Sequence, residues 1–248
     1  MVLAYDGSFF GGWQTQHRGD SVQEVLQNSF YDTFKKPVQF IAASRTDVGV
    51  HALGQVVLCK TELDLPVERL LKVWNDNLPA SVLIRSLKKA KNFFHPWYTV
   101  FQKCYIYTIF CSKPTPFLAP YGWHVKAPID WIRVKVALEF FVGTHDFKGF
   151  KHAQDDRIDT IREIKSANLY YNKRYHAWSI EIKGKSFLRH MIRKIVGALI
   201  FVGTHSDIPL DLLSQLLVTG KSQLQFPTAP ALGLLLRSIQ YTEVIFDE

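Results

Sequence analysis

The sequence predicts an α+β fold, with helices packed on one face of a mainly antiparallel, mixed sheet. Segments of helical apolar spacing and segments of strict alternation both recur, but they do not alternate one for one as a doubly wound sheet requires. No linker rich in Pro, Gly or Ser divides the chain into independent domains. With 248 residues, 47% apolar and 21% charged, it has the composition of a globular protein able to bury a large core.

Taken in order, Ser21-Val22-Gln23-Glu24 is a capping box, in which Ser21 and Glu24 satisfy each other's free amides. Val22, Val25, Leu26, Phe30 and Phe34 then give one apolar face over about four turns. Val38 to Ile41 reads as a strand entering the core, and Gln55 to Leu58 as one leaving it. Pro66 opens a second helix carrying Leu70, Leu71 and Trp74, which Pro79 closes. Tyr105 to Phe110 alternates as a strand. Pro128 opens a third helix through Trp131, Val134, Leu138 and Phe141 to Gly143. Ala177 to Ile182 alternates again after a charged turn at Asn172-Lys173-Arg174. A last helix is predicted from Phe187 to Val202, with Arg189, His190, Arg193 and Lys194 together on a basic face opposite an apolar stripe. Phe141-Val142-Gly143-Thr144-His145 is echoed by Phe201-Val202-Gly203-Thr204-His205, either as shared helix C-cap chemistry or as a trace of two related halves.

Composition narrows the function. No apolar run approaches a membrane span, and Ile195 to Val202, the longest, is under half of one. No basic-then-apolar leader is present and Asp6 interrupts the first apolar stretch, which predicts a cytoplasmic protein rather than a secreted one. Cys59, Cys104 and Cys111 are odd in number and form no Cys-x-x-Cys pair, as expected of reduced thiols and not of a structural zinc site. The nine histidines are scattered singly, and no P-loop or dinucleotide fingerprint occurs, so no metal and no cofactor is expected. A net charge of +8 suits a polyanionic partner. Lys88, Lys89 and Lys91 precede Phe93-Phe94-His95-Pro96-Trp97-Tyr98, which is either a strand-tracking surface or a solvated loop before a buried aromatic strand.

The run Ala42-Ala43-Ser44-Arg45-Thr46-Asp47-Val48-Gly49-Val50-His51-Ala52 sets a carboxylate between a guanidinium and a glycine, on a turn between two core strands. Alone, such a segment is ordinarily a structural turn. It stands, however, among Tyr5-Asp6-Gly7-Ser8, Gly12-Trp13-Gln14-Thr15-Gln16, Asn77-Leu78-Pro79, Lys103-Cys104-Tyr105-Ile106-Tyr107 and Gly143-Thr144-His145-Asp146-Phe147. Phe187-Leu188-Arg189-His190-Met191-Ile192-Arg193 and Thr228-Ala229-Pro230-Ala231 with Gly233-Leu234 follow. In this order and spacing, from Leu3 to about Tyr241, the sequence resembles the TruA family of tRNA pseudouridine synthases.

That resemblance implies the pseudouridine synthase fold, two similar halves (1–110 and 111–248) flanking a central RNA-binding cleft within one catalytic unit. It implies isomerisation of uridine to pseudouridine at positions 38–40 of the tRNA anticodon arm, by a homodimer in which one tRNA touches both subunits. Asp47 takes the place of the catalytic carboxylate. Arg193 matches the arginine that the family pairs with it, and Arg45 the one that contacts RNA beside the loop. Tyr105 matches the tyrosine stacked on the target base, and Leu234 an apolar residue of the pocket. Arg189, Lys194 and Lys103 are the expected RNA-binding cations. The chain departs from the family at Ser44, where glycine is usual, at Val48, where alanine is usual, and at Trp97, where the family carries an arginine. Two other functions are compatible with the residues: an RNA-binding protein or tRNA chaperone on the same scaffold with weak catalysis, and a hydrolase that uses Asp47 to release the base.

Overall fold

The computed structural model describes residues 1–15, 20–221 and 224–242; Gln16 of the Gly12–Gln16 stretch lies outside them. The chain divides into two compact units, Met1–Phe101 with Leu235–Glu248, and Gln102–Leu234.

In the first unit, β1 (Val2–Tyr5), β2 (Gln39–Ala42), β3 (His51–Lys60) and β4 (Val82–Ser86) pair antiparallel, with β1 between β3 and β4, and β2 on β3. The unit's last strand, β10 (Leu234–Tyr241), returns from the far end of the chain and lies parallel to β3, Leu235 opposite His51 and Leu236 opposite Ala52. Helix α1 (Val22–Phe34) carries the expected capping box, Ser21 Oγ accepting from Glu24 N at 3.2 Å and Glu24 Oε2 accepting from Ser21 N at 3.1 Å. Helix α2 (Val67–Asp76) starts one residue after Pro66, which stands at the N-cap rather than inside the helix. The core forms where these meet. Trp74 of α2 is fully buried, edge-on to Phe30 of α1 at 4.9 Å and stacked on Phe40 of β2 at 6.0 Å. A buried aromatic ring contributes roughly 2–3 kcal/mol by area alone.

In the second unit, β5 (Val100–Phe110), β9 (Ala177–Gly184), β8 (Ile161–Asn172) and β7 (Gly143–Asp146) follow one another antiparallel, and the short β6 (Trp123–His124) pairs parallel to β5. The β8–β9 turn forms where the charged tripeptide predicts it, Asn172 Oδ1 accepting from Arg174 N at 3.1 Å. Helix α3 is Trp131–Glu139. Its N-cap is Asp130, whose carboxylate accepts from the amides of Ile132 and Arg133, so the helix begins after Pro128 and ends before Phe141. Two further helices are α4 (Met191–Thr204) and α5 (Asp211–Thr219).

Helix α4 corrects the sequence expectation twice. It begins at Met191, not at Phe187, because His190 takes a left-handed conformation (φ 62°) and stops the helix from extending backwards. Arg189 and His190 therefore sit in the preceding turn and share no helical face with Arg193 and Lys194. Nor has α4 a broad solvated side: ten of its residues are buried, Met191, Ile195 and Leu199 among them. The internal echo also resolves into two different structures. Gly143 opens β7 with φ 111°, whereas Gly203 lies inside α4, so the two do not share cap chemistry. Among the described residues no helix is long and apolar enough to cross a membrane.

Candidate active site

The connection from β2 to β3 is the loop 43–50, and Ala43, Ser44 and Thr46 tie it to its surroundings. Ala43 N donates to Val56 O at 2.8 Å, extending the ladder by one step. Gln55, fully buried on β3, then reads both backbone groups of Ser44: Oε1 accepts from Ser44 N at 3.2 Å and Nε2 donates to Ser44 O at 2.6 Å. Tyr5 of β1 shares a hydrogen bond with the buried Thr46 hydroxyl at 2.8 Å, and Trp13 N donates to Thr46 O at 3.1 Å. Val50 N donates to Asp47 O at 3.1 Å, closing a four-residue turn whose third position is Gly49, at φ 77°. A type II turn requires positive φ there, which is why glycine occupies that place. Ser44 is not among the residues of positive φ, so serine fills the family's glycine position without strain.

The loop's far end meets the Tyr5-Asp6-Gly7 motif. His51 Nδ1 lies 3.1 Å from both Gly7 N and Asp6 Oδ1. With Nδ1 unprotonated the ring accepts from Gly7, and with a proton on Nδ1 it donates to Asp6; one nitrogen cannot do both. Gly7 also runs so close to the turn that a Cβ on it would stand 2.1 Å from Val50 O. The result is a half-buried Asp47 on a fixed turn, flanked by an exposed Arg45 and an exposed Val48. Hydrogen bonds from β1, β3 and Trp13, through the Gln55 and Tyr5 side chains and through backbone groups, hold the loop, so the carboxylate is positioned before any substrate arrives.

The second unit gathers the remaining expected residues into two groups. In the first, Tyr105 on β5 is buried and edge-on to Phe187 at 5.4 Å. Phe187 O accepts from Arg157 at 3.3 Å, and Arg157 is paired through both Nε (2.8 Å) and NH2 (2.6 Å) with the carboxylate of Asp155. The same carboxylate accepts from Arg189 N at 3.0 Å. Hydrogen bonds from Arg157, then from the amides of Arg189 and Arg157, hold the Asp155 carboxyl far below the usual carboxylate range against the opposing effect of burial. Lys103, two residues before Tyr105, is lowered to about 8 by burial and by the charge of Arg157. Arg189 itself is exposed.

In the second group, Arg193, in the first turn of α4, donates from Nε to Ala229 O at 2.9 Å and accepts at its own carbonyl from Ala229 N at 3.0 Å. Tyr107, fully buried, donates to Pro230 O at 2.7 Å, and burial raises its hydroxyl pKa against the pull of Arg193. The Thr228–Ala231 motif is thus fastened by α4 on one side and β5 on the other, immediately before the buried Leu234. Lys194 is half-buried, and burial lowers its pKa.

Sequence reasoning missed Gln55, Asp155 and Arg157. Asp155-Asp156-Arg157 offered an acid–base pair at short spacing, but nothing in it pointed to Arg189, 34 residues away. Gln55 carried no signal beyond being a polar residue inside an apolar strand.

The α+β fold with a mixed sheet is the one that the pseudouridine synthase resemblance implies. The comparisons agree. The model of the family described as tRNA pseudouridine synthase matches residues 1–99 and 137–242. tRNA pseudouridine synthase A of Thermoanaerobacter sp. is 36% identical over 242 residues, covering 97% of this chain and 98% of its own. The proteins of the same name from Prochlorococcus marinus subsp. pastoris (34% over 248 residues; 99% and 91%) and Thermodesulfovibrio yellowstonii (32% over 252 residues; 97% and 98%) are similar over comparable lengths. The chain belongs to the tRNA pseudouridine synthase family.

Proposed function

We propose that this chain isomerises uridine to pseudouridine in tRNA, at positions 38–40 of the anticodon arm, with Asp47 as its catalytic carboxylate. The observation that carries the reading is the braced loop 43–50, which presents Asp47 from a chain similar to its relatives along nearly their whole length. The reaction breaks the bond from the ribose anomeric carbon to N1, turns the base, and joins the same carbon to C5, whose proton leaves while N1 takes one up. Nothing is oxidised or reduced. A carboxylate beside the sugar serves either as nucleophile or as the charge that stabilises a sugar-centred intermediate.

A stem uridine must leave its stack before Asp47 can reach the sugar. Arg45, exposed two residues from Asp47, suits a contact with the opened RNA. The resemblance assigns Tyr105 and Leu234 to the base and Arg193 to the carboxylate. Arg189, Lys194 and Lys103 are assigned to the phosphates, where Arg189 is the most accessible of the three. Lys103, with its pKa near 8, would carry a pH-dependent share of its charge. A homodimer holding one tRNA across both subunits, at work in the cytoplasm, completes the reading.

The test is tritium release from a tRNA transcript labelled at uridine C5, wild type beside Asp47→Asn, with filter binding in parallel. The amide keeps the side chain's shape and removes its charge. Release by wild type alone, mapped to the anticodon arm, with binding intact in both proteins, is the expected result. Tight, salt-sensitive binding without release by wild type would overturn it in favour of an RNA-binding protein on this scaffold.

A further inference from the structure

The family resemblance leaves Trp97 unexplained, because an aromatic ring stands where relatives carry a cation. The structure gives it a task. Its indole Nε1 donates to Ala42 O at 2.6 Å, across 55 residues of chain. Ala42 is the last residue of β2, immediately before the loop that carries Asp47. It is paired with Val57, whose N and O are both engaged by Met1 on the side away from β2. In an antiparallel ladder such a pair exchanges no hydrogen bonds with each other, so the carbonyl of Ala42 points to the outer edge of β2. Ala42 is nevertheless buried, and a buried carbonyl requires a donor. Trp97 provides it.

The segment that bears Trp97 is itself fixed. Phe94 is buried against Tyr241 of β10 at 5.4 Å, and the Tyr241 hydroxyl donates to Pro96 O at 3.1 Å. His95 lies edge-on to the indole at 5.4 Å, and its Nδ1 accepts from Trp97 N at 3.3 Å. A continuous line of contacts therefore runs from β10 through Pro96 and Trp97 to the entry of the loop. Loop residues 43, 44 and 46 are held by β1, β3 and Trp13, and Val50 lies against Gly7; the entry is held through Trp97.

We propose that Trp97 is a positioning residue for Asp47, fixing the loop at its entry through the indole N–H. This rests on the pseudouridine synthase reading for its kinetic consequence but not for its structural one. Two substitutions separate the donor from the ring. Trp97→Phe keeps an aromatic ring and removes the donor. In Trp97→His the imidazole overlays the five-membered ring of the indole, so Nε2–H stands where Nε1–H was and only the benzo ring is lost.

The experiment measures kcat, KM and tRNA affinity for wild type and both variants. It also follows amide hydrogen exchange of the peptide covering residues 43–50, by mass spectrometry without RNA. The expected result is that Trp97→Phe lowers kcat on the order of 10- to 100-fold, as loss of precise placement does, with KM and affinity little changed. Exchange of the loop amides should rise in Trp97→Phe and stay near wild type in Trp97→His, whose kcat is retained. If both variants weaken tRNA binding with kcat intact, the half-exposed ring is an RNA contact and the proposal falls. Unchanged loop exchange in Trp97→Phe overturns it on its own. If wild type releases no tritium, the pseudouridine reading fails and the exchange comparison alone decides the brace.

Discussion

Replacing Gln55 by Leu would test whether the loop is held as the structure describes. Leu is apolar and of similar volume to Gln, branching one carbon earlier at Cγ, and the site is fully buried, so the new side chain suits an apolar environment while offering no hydrogen-bonding group. What changes is Ser44: its amide loses Oε1 at 3.2 Å and its carbonyl loses Nε2 at 2.6 Å, while Tyr5 Oη loses a longer contact at 3.4 Å. Each stranded backbone group costs about 1–3 kcal/mol where water cannot replace the partner. Ser44 is half-buried, which puts the sum toward the lower end, about 2–4 kcal/mol. For a chain of this size that is a fall in Tm of roughly 4–16 °C. Gln55→Glu should cost at least as much, because a carboxylate faces the Ser44 carbonyl with no hydrogen to offer. Thermal denaturation gives the stability, and tritium release at 20 °C, well below either transition, gives kcat. A Tm within about 2 °C of wild type together with unchanged kcat would show that Gln55 neither holds the loop nor prepositions Asp47.

Three further outcomes follow from the geometry. Gly7→Ala places a Cβ 2.1 Å from Val50 O and 2.3 Å from Val50 C, so turn 47–50 must shift; kcat should fall on the order of 100-fold, and retention of activity would mean that the loop yields cheaply. Asp155→Asn removes a carboxylate whose pKa is depressed, chiefly by Arg157. Its contribution is present above the unfolded value of 3.8 and is lost as pH falls through the lower folded value, so the stability gap to wild type, about 1–3 kcal/mol at neutral pH, should close below about pH 4. A gap independent of pH in urea titrations would rule out the charged pair as its source. Lys103 behaves oppositely: burial, then Arg157, lowers it from 10.5 to about 8, so the unfolded chain binds more protons between those values and wild-type stability rises with pH across them. Lys103→Met should therefore stabilise the protein at pH 7, with the gain shrinking toward pH 10.5; a constant gain would point to packing alone.

Local signals in the sequence were reliable where a single segment decides its own structure. The capping box at Ser21 and Glu24 set the start of α1, and Asn172 set the β8–β9 turn, because in both the partners lie within four residues. The loop around Asp47 was legible as a turn between strands for the same reason, glycine at its third position being a local requirement. The start of α4 was not. Phe187 and Leu188 continue its apolar period, and the left-handed His190 that interrupts it follows a residue whose amide bonds to Asp155, 34 positions earlier. Trp97 is illegible in the same way. Its ring could be read from composition, but its partner is a carbonyl 55 residues away, exposed to it by a ladder register that no periodicity reveals. The family resemblance singled out residue types at the site, whereas the groups that orient them, Gln55 and Asp155, emerge only from tertiary contacts.

The pairing of β10 with β3 has a consequence for the order of events during synthesis. The strand that flanks His51 and Ala52, at the exit of the Asp47 loop, is encoded only from residue 235 onward. At typical ribosomal rates the intervening residues 102–234 take about 7–27 s to make, and during that time the nascent first unit displays β3 with an open edge. A chain cut short by a premature stop or a protease would thus contain Asp47 and its hairpin but not the strand that flanks them. The first unit therefore completes its pairing along His51 and Ala52 only once the segment from Leu234 to Tyr241 has been made.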